Sequence, residues 1–199
     1  MKHLIGMACG VLIAGSVTTA GAVPLAGATK VRVTNVLNEY IQIAEVQVMN
    51  FADANVALTG TSSSSSSWGG AFSGPAKAHD GNTDGNYFSG SVFHSNQGAG
   101  EFWELLIAPT NVKSLTIWGR SDCCRSRDYF EVSVFGASGN LLWQNQFDLR
   151  TGDRFATVTF DPVPDDPDPD VPAPGTLALL LAGLGMGALA SRQTRARRT

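Results

Sequence analysis

The chain has 199 residues, 43% of them apolar and 16% charged, with 14 basic against 17 acidic side chains. That is enough length and apolar content for one globular core, and too acidic a balance for general nucleic-acid binding, which needs a basic face. Of the three cysteines, two are adjacent, which excludes a multi-thiolate zinc site and a C-x-x-C redox pair.

At the N-terminus, Lys2 and His3 precede an apolar run from Leu4 to about Val17. Ala20-Gly21-Ala22 then offers a small-x-small cleavage site, and Ala26-Gly27-Ala28 a second. This predicts a secretory signal peptide over residues 1–22. The other reading, a membrane span, needs about 20 apolar residues, more than this run supplies. Cys9 would leave with the signal, so the mature chain has only Cys123 and Cys124.

Residues 30–161 read as a single all-β domain. Short alternating stretches recur, "VRVTNV", "YIQIAEVQV", "FWELLI", "SLTIW", "YFEVSVF" and "FATVTF", separated by Gly, Ser and Asn clusters. Within Tyr129–Phe135, Phe130, Val132 and Val134 alternate with Glu131 and Ser133, the period of a strand with one buried face. Many short strands with polar turns predict a β-sandwich or jelly roll. The serine run Ser62–Ser67 is expected to be an exposed loop. One strand changes phase: Ile41 and Ile43 fall on one side, Val46 and Val48 on the other, with the switch at Ala44-Glu45. Either a bulge there or burial of both faces accounts for it.

The segment "AKAHDGNTDGNYFSGSVFHS", Ala76–Ser95, is rich in oxygen donors and glycines. Hard cations take such donors on a tightly turning loop. D-G-N-x-D-G matches half of an EF-hand loop, but the closing Glu is absent, and an Asx/Gly turn without metal has the same composition. Further on, "GRSDCCRSRDY" places Arg120, Arg125 and Arg127 around the adjacent cysteines.

Together, "AHDGNTDGNYFSGSVFH", Phe102-Trp103-Glu104-Leu105 and "IWGRSDCCRSR" resemble the F5/8 type C (discoidin-like, galactose-binding-like) domains, and within them the fucolectin branch with its A-x-D-G-N…S-x-x-H and R-x-D-C-C-x-x-R motifs. The resemblance covers about Ile41 to Phe135. It implies a sugar site at His94, Arg120 and Arg127, with a Cys123–Cys124 disulfide packed on an apolar face of a fucose-like sugar. It also implies a Ca²⁺ site built from the side chains of Asp80, Asn82 and Ser91, the carbonyls of Lys77 and Ala44, and the Glu45 carboxylate. The last two come from "IQIAEVQV", which lies at the start of this chain whereas the family's equivalent strand ends the domain. Asp122 is expected to pin one guanidinium, and Arg125 to face solvent. Free thiols or an intermolecular bridge are the other outcomes for the cysteines. The sequence departs from the family at Phe102, at "LLI" and at Asp128.

Residues 162–174 form an acidic, Pro-rich linker that cannot build a core. Residues 175–199 carry an uncharged run of Leu, Ala, Gly and Met, then Arg192, Arg195, Arg197 and Arg198. With Val171-Pro172-Ala173-Pro174 before it, this order resembles the PEP-CTERM sorting signal of Gram-negative bacteria, although Ala173 stands where a Glu is usual. The resemblance implies export, transient anchoring in the inner membrane, cleavage by an exosortase, and a final place in the envelope, at the surface or in the extracellular matrix. A permanent anchor is the alternative. Removing Lys2 and the four tail arginines takes 14 basic residues to nine against 17 acidic ones, a net charge near −8.

Two functions follow. One is an exported, calcium-stabilised carbohydrate-binding protein, with a fucose-like terminal sugar or exopolysaccharide as partner. The other is a structural matrix or adhesion protein without a small sugar ligand. No enzyme is predicted: His3 lies in the signal, His79 precedes a loop, His94 is assigned to the sugar, and no nucleophile–base pair can be picked out.

Overall fold

The computed structural model describes residues 23–164. The predicted signal peptide, all of the linker beyond residue 164 and the PEP-CTERM-type tail lie outside the described residues. No helix among the described residues is long and apolar enough to cross a membrane.

Eight strands make one antiparallel hydrogen-bonded system: β1 (Leu25–Asn35), β2 (Gln42–Asn50), β3 (Thr61–Ser64), β4 (Phe93–His94), β5 (Phe102–Gly119), β6 (Tyr129–Gly136), β7 (Leu141–Asp148) and β8 (Phe155–Thr159). The path runs β4-β2-β5-β1-β6-β7, with β3 and β8 also paired to β5. The architecture is consistent with the expected all-β sandwich.

The 18-residue β5 organises it. From Phe102 to Val112 it pairs with β1, and from Val112 to Gly119 with β2; β3 lies along its first half and β8 along its second. "FWELLI" and "SLTIW" are therefore one strand, joined through "APTNVK". Pro109 cannot donate to a ladder, and it falls where the β1 register shifts, between Ala28↔Thr110 and Lys30↔Leu106.

The core lies between the two arms. Val31, Val33, Ile41, Ile43, Val46, Val48, Trp103, Leu105, Leu115, Ile117, Phe130, Val132 and Val134 are fully buried. Phe130, Val132 and Val134 keep the period-2 rhythm expected of β6. The first strand starts at Leu25, five residues earlier than the domain boundary at Lys30, and buries Leu25 and Ala28. Cleavage at Ala26-Gly27-Ala28 would cut into that strand, whereas cleavage after Ala22 leaves it whole.

Both readings of the β2 phase change hold. The register against β5 shifts between Ile43↔Gly119 and Glu45↔Trp118, a bulge at Ala44, and residues 42–46 are all buried. The serine run is not wholly a loop: Ser62–Ser64 belongs to edge strand β3, and Ser62 Oγ lies 2.9 Å from His79 Nε2.

Gly60 sits at the entry to β3 in tight quarters. A Cβ there would stand 2.6 Å from Leu105 Cδ1 and 2.7 Å from the Leu106 carbonyl oxygen. Backbone cannot yield as a side-chain tip can. Gly60→Ala is expected to lower the urea-unfolding free energy by about 1–3 kcal/mol; an unchanged midpoint would show that the β3 entry relaxes freely.

Candidate functional site

Two stretches distant in sequence meet at one end of the sheet: the loop over residues 80–92 with β4 that follows it, and the turn that leaves β5. The Ser121 N–H donates to the Gly85 carbonyl at 2.7 Å, and the Tyr87 N–H donates to Asp122 Oδ1 at 3.0 Å. Gly85 has φ +72°, and a Cβ would lie 3.1 Å from both Gly119 O and Ser121 N. Glycine is needed there on both counts.

This junction aligns five side chains. The Arg127 guanidinium lies 4.6 Å over the Tyr40 ring, Tyr40 lies 5.1 Å from His94, His94 lies 5.4 Å from Tyr87, and Tyr87 lies 4.6 Å from the Arg120 guanidinium. His94, Arg120 and Arg127 are thus brought together, with a tyrosine between the imidazole and each cation. Sequence reasoning did not find Tyr40 or Tyr87; no spacing rule marks an aromatic residue at a loop edge as a spacer.

His94 is buried, and its pKa lies below the ordinary imidazole value. Desolvation is the main cause, and the Arg120 and Arg127 charges add to it. The neutral ring donates from Nδ1 to the Ser95 carbonyl at 2.8 Å, so Nε2 is the acceptor; Gln42 Nε2 donates to it at 2.7 Å. Gln42 is fully buried, and its Oε1 has no hydrogen-bond partner.

Arg120 makes a two-pronged bond to Asp122, Nε to Oδ1 at 2.8 Å and Nη2 to Oδ2 at 2.7 Å. Asp122 pins the guanidinium, and the bond holds its carboxyl down to about 2. Arg120 Nη1 takes no part in that pair. Arg127 is looser: its side chain is 33% exposed, and its Nε is 3.9 Å from Glu39 Oε2. The Asn35 amide holds the backbone on both sides, donating to Arg127 O at 2.6 Å and Tyr40 O at 3.0 Å.

The Cys123 and Cys124 sulfurs are bonded to each other. Cys124 has φ +60° and opens the short turn Arg125–Arg127. A non-glycine residue persists in that region only where its surroundings over-determine it. Arg125 supplies part of that restraint. It does not simply face solvent: Nε donates to Leu149 O at 2.7 Å, and Nη2 to Asp153 O at 2.9 Å and to Gly152 O.

The bulge at Ala44 turns the fully buried Glu45 toward the loop, where the Gly81 N–H reaches both carboxylate oxygens at 3.2 Å. Burial pushes Glu45 up to about 7; the Gly81 N–H opposes this and the Asp80 charge adds to it. Asp80 and Asn82 each accept from a backbone N–H two residues on, at 3.0 Å. Lys77 lies in the short 3₁₀ turn Pro75–His79 just before them. Ser91 is buried and its Oγ donates to Asn86 O at 3.0 Å. Among the described residues no cluster of three or more His, Cys, Asp or Glu could hold a metal ion; the expected set has only two carboxylates.

This chain is similar to the fucolectins. It is 31% identical to Fucolectin-6 of Anguilla japonica over 122 residues, 56% of this chain and 66% of that protein. It is 37% identical to Fucolectin-4 of the same eel over 81 residues, and 36% identical to Fucolectin of Anguilla anguilla over 81 residues. Those two alignments cover 39% of this chain and 45% and 51% of the relatives, so the chain spans about half to just under two thirds of the relatives it matches. No family model matches the sequence, and no solved structure matches it.

Asp128, the departure noted beside Arg127, is 1% exposed, and its Oδ1 has no hydrogen-bond partner. Burial pushes its carboxyl up to about 7, against the opposing charges of Arg154, Arg125 and Arg120. An acid with a raised folded-state pKa binds more protons folded than unfolded. It therefore favours folding below its unfolded value of roughly 4, and that contribution is lost as pH rises to about 7. Asp128→Asn is expected to flatten the fall in stability between pH 4 and 7, read from urea titrations at several pH values; a wild-type slope retained in the variant would assign the effect elsewhere.

Proposed function

We propose that this is an exported, calcium-stabilised carbohydrate-binding protein whose site takes a terminal fucose-like sugar on polysaccharide or glycan. The observation that carries the reading is the alignment Arg127–Tyr40–His94–Tyr87–Arg120 beside the paired cysteines. The similarity to proteins named fucolectins supports it.

A pyranose offers hydroxyls at its rim and C–H groups on its faces. Arginine forks supply several fixed N–H donors to such hydroxyls without a matching anion. Arg120 Nη1 and the exposed side of Arg127 are the donors available. With Nδ1–H donating to the Ser95 carbonyl, His94 Nε2 is an acceptor, so a hydroxyl meeting it donates, sharing or replacing the Gln42 amide. The Cys123–Cys124 sulfurs supply a soft apolar surface beside these donors for a C–H face. No covalent chemistry is needed, and the protein acts as a binder, not an enzyme.

Ca²⁺ would be held by the Ala44 and Lys77 carbonyls, Glu45, Asp80, Asn82 and Ser91. Hard oxygen donors of this kind suit it. The fit rests on Glu45, a buried carboxylate that feels the Asp80 charge and whose hydrogen-bond partner is the Gly81 backbone N–H. A divalent cation would neutralise what burial penalises. Bound there, the ion ties β2 to the loop that carries Tyr87, and its role is structural.

The proposed setting follows from the two ends of the chain. A signal peptide over residues 1–22 would bring it to an oxidising compartment, and the tail over residues 175–199 would hold it in the inner membrane until an exosortase cuts it.

Glycan-array and calorimetric binding on the purified protein tests the reading. Fucosylated glycans are expected to bind with calcium present. Arg127→Ala and His94→Ala should each weaken binding by more than tenfold, as loss of a hydrogen bond to a charged or buried group does. Arg127→Ala should leave the melting temperature unchanged because its side chain is a third exposed. Chelation should lower the melting temperature. Silence on every glycan, insensitive to chelator and reductant, would favour the matrix reading.

A further inference from the structure

The aligned side chains leave the neighbouring ring of Trp68 unused. Trp68 is 61% exposed, yet it is firmly placed. Its backbone N–H donates to the His94 carbonyl at 2.8 Å, locking the loop to the strand that carries the imidazole. On one side, the Asn96 N–H donates to Ser66 Oγ at 2.8 Å; on the other, Ser67 Oγ donates to Gly70 O at 2.8 Å and Ser73 O at 3.2 Å. The indole stands perpendicular to Tyr40 at 5.9 Å and lies 6.3 Å from His94. An indole left in water forfeits a large apolar burial, and holding it still adds an ordering cost. The edge contact with Tyr40 offsets only part of this, since 61% of the residue stays in water.

The surroundings of Trp68 are polar in a way that fits a sugar. Glu39 Oε2 accepts from Gln97 Nε2 at 3.1 Å, and the same carboxylate faces Arg127 Nε at 3.9 Å. Glu39 and Gln97 thus form a polar pair beside Arg127: Glu39 immediately precedes Tyr40, on which Trp68 packs, and Gln97 follows Asn96, which bonds Ser66. A flat apolar face with a carboxylate and an amide nearby matches a pyranose, whose C–H face stacks on an aromatic ring while its hydroxyls bond at the edge.

We propose that Trp68 is the platform of a second saccharide subsite, so that the protein reads at least a disaccharide: a terminal sugar at His94 and a neutral hexopyranose, next along the glycan, stacked on the indole. Glu39 gives the subsite its sign. It accepts from ring hydroxyls and disfavours a uronic acid in the second position. The inference rests on the carbohydrate-binding reading above.

Calorimetric titration of the full chain with free fucose and with the disaccharide fucosyl-galactose separates the two claims. The wild type is expected to bind the disaccharide roughly tenfold more tightly than fucose, the order of a good stacking contact. Trp68→Ala should remove that advantage and leave fucose affinity within about twofold of wild type, while Trp68→Phe restores part of it. Equal loss for both sugars in Trp68→Ala would make Trp68 a loop support and overturn the subsite, as would a wild type that does not distinguish the two. A wild type that binds neither sugar overturns the functional reading and the subsite with it.

Discussion

Two guanidinium groups flank one imidazole, and the protein keeps that imidazole neutral. The site depends on this constraint. Like charges around a buried histidine would repel a third, so burial and the two arginines act in the same direction on His94. The ring then has one N–H and one lone pair, and both have defined partners in Ser95 O and Gln42. Tyr40 and Tyr87 keep the cations at stacking distance, their ring faces taking part of the charge that water would otherwise hold. Without the tyrosines Arg120 would keep only its bond to Asp122, and Arg127 only its looser approach to Glu39.

The fold creates this arrangement by bringing the ends of several strands to one place. β4 pairs with β2 for only two residues, Gln42↔His94 and Ile43↔Phe93, and that short ladder sets Gln42 opposite the imidazole. β5 ends at Gly119, and the next residue is Arg120. The same stretch of β2 carries the bulge at Ala44, which turns Glu45 toward the loop that bears Tyr87. One irregularity in β2 therefore serves both the oxygen-rich loop and the histidine floor, a use to which bulges are suited.

Much of this was legible in the sequence, for a physical reason. Alternation in β6 and the phase change in β2 are written in side-chain polarity, which burial enforces. The contiguous motif around Asp122, Cys123 and Cys124 carried its own neighbours with it, and Asp122 does grip Arg120. What escaped lacks a local signature. β7 is largely exposed, with Gln144, Asn145 and Gln146 toward water, so no hydrophobic period marks it. β5 looked like two strands because Pro109 interrupts the donor pattern at a register shift. Arg125 looked solvent-facing because its partners, Leu149, Gly152 and Asp153, lie more than twenty residues away and are backbone carbonyls, which any sequence provides. Tyr40, Gln42 and Trp68 reach the site through tertiary contact, which single-sequence periodicity does not encode.

The irregularities have a pattern of their own. Gln42 Oε1 and Asp128 Oδ1 are buried without partners, Cys124 holds a left-handed backbone, and Trp68 and the 80% exposed Phe88 show large apolar rings to water. Each lowers stability, and all lie on segments that converge around His94 and the Cys123–Cys124 turn. The opposite trend holds in the strands between the arms, where Val31, Leu115, Val132 and their neighbours are closed to solvent. A chain that packs its strands this well has no need of such defects for folding. Similar features occur elsewhere, as at the buried Trp118 Nε1 and the exposed Leu106, but here several fall together on the segments that build the site, where local rules yield to function. Taken singly, an orphaned amide or an exposed indole has a bland explanation; the shared location gives them weight.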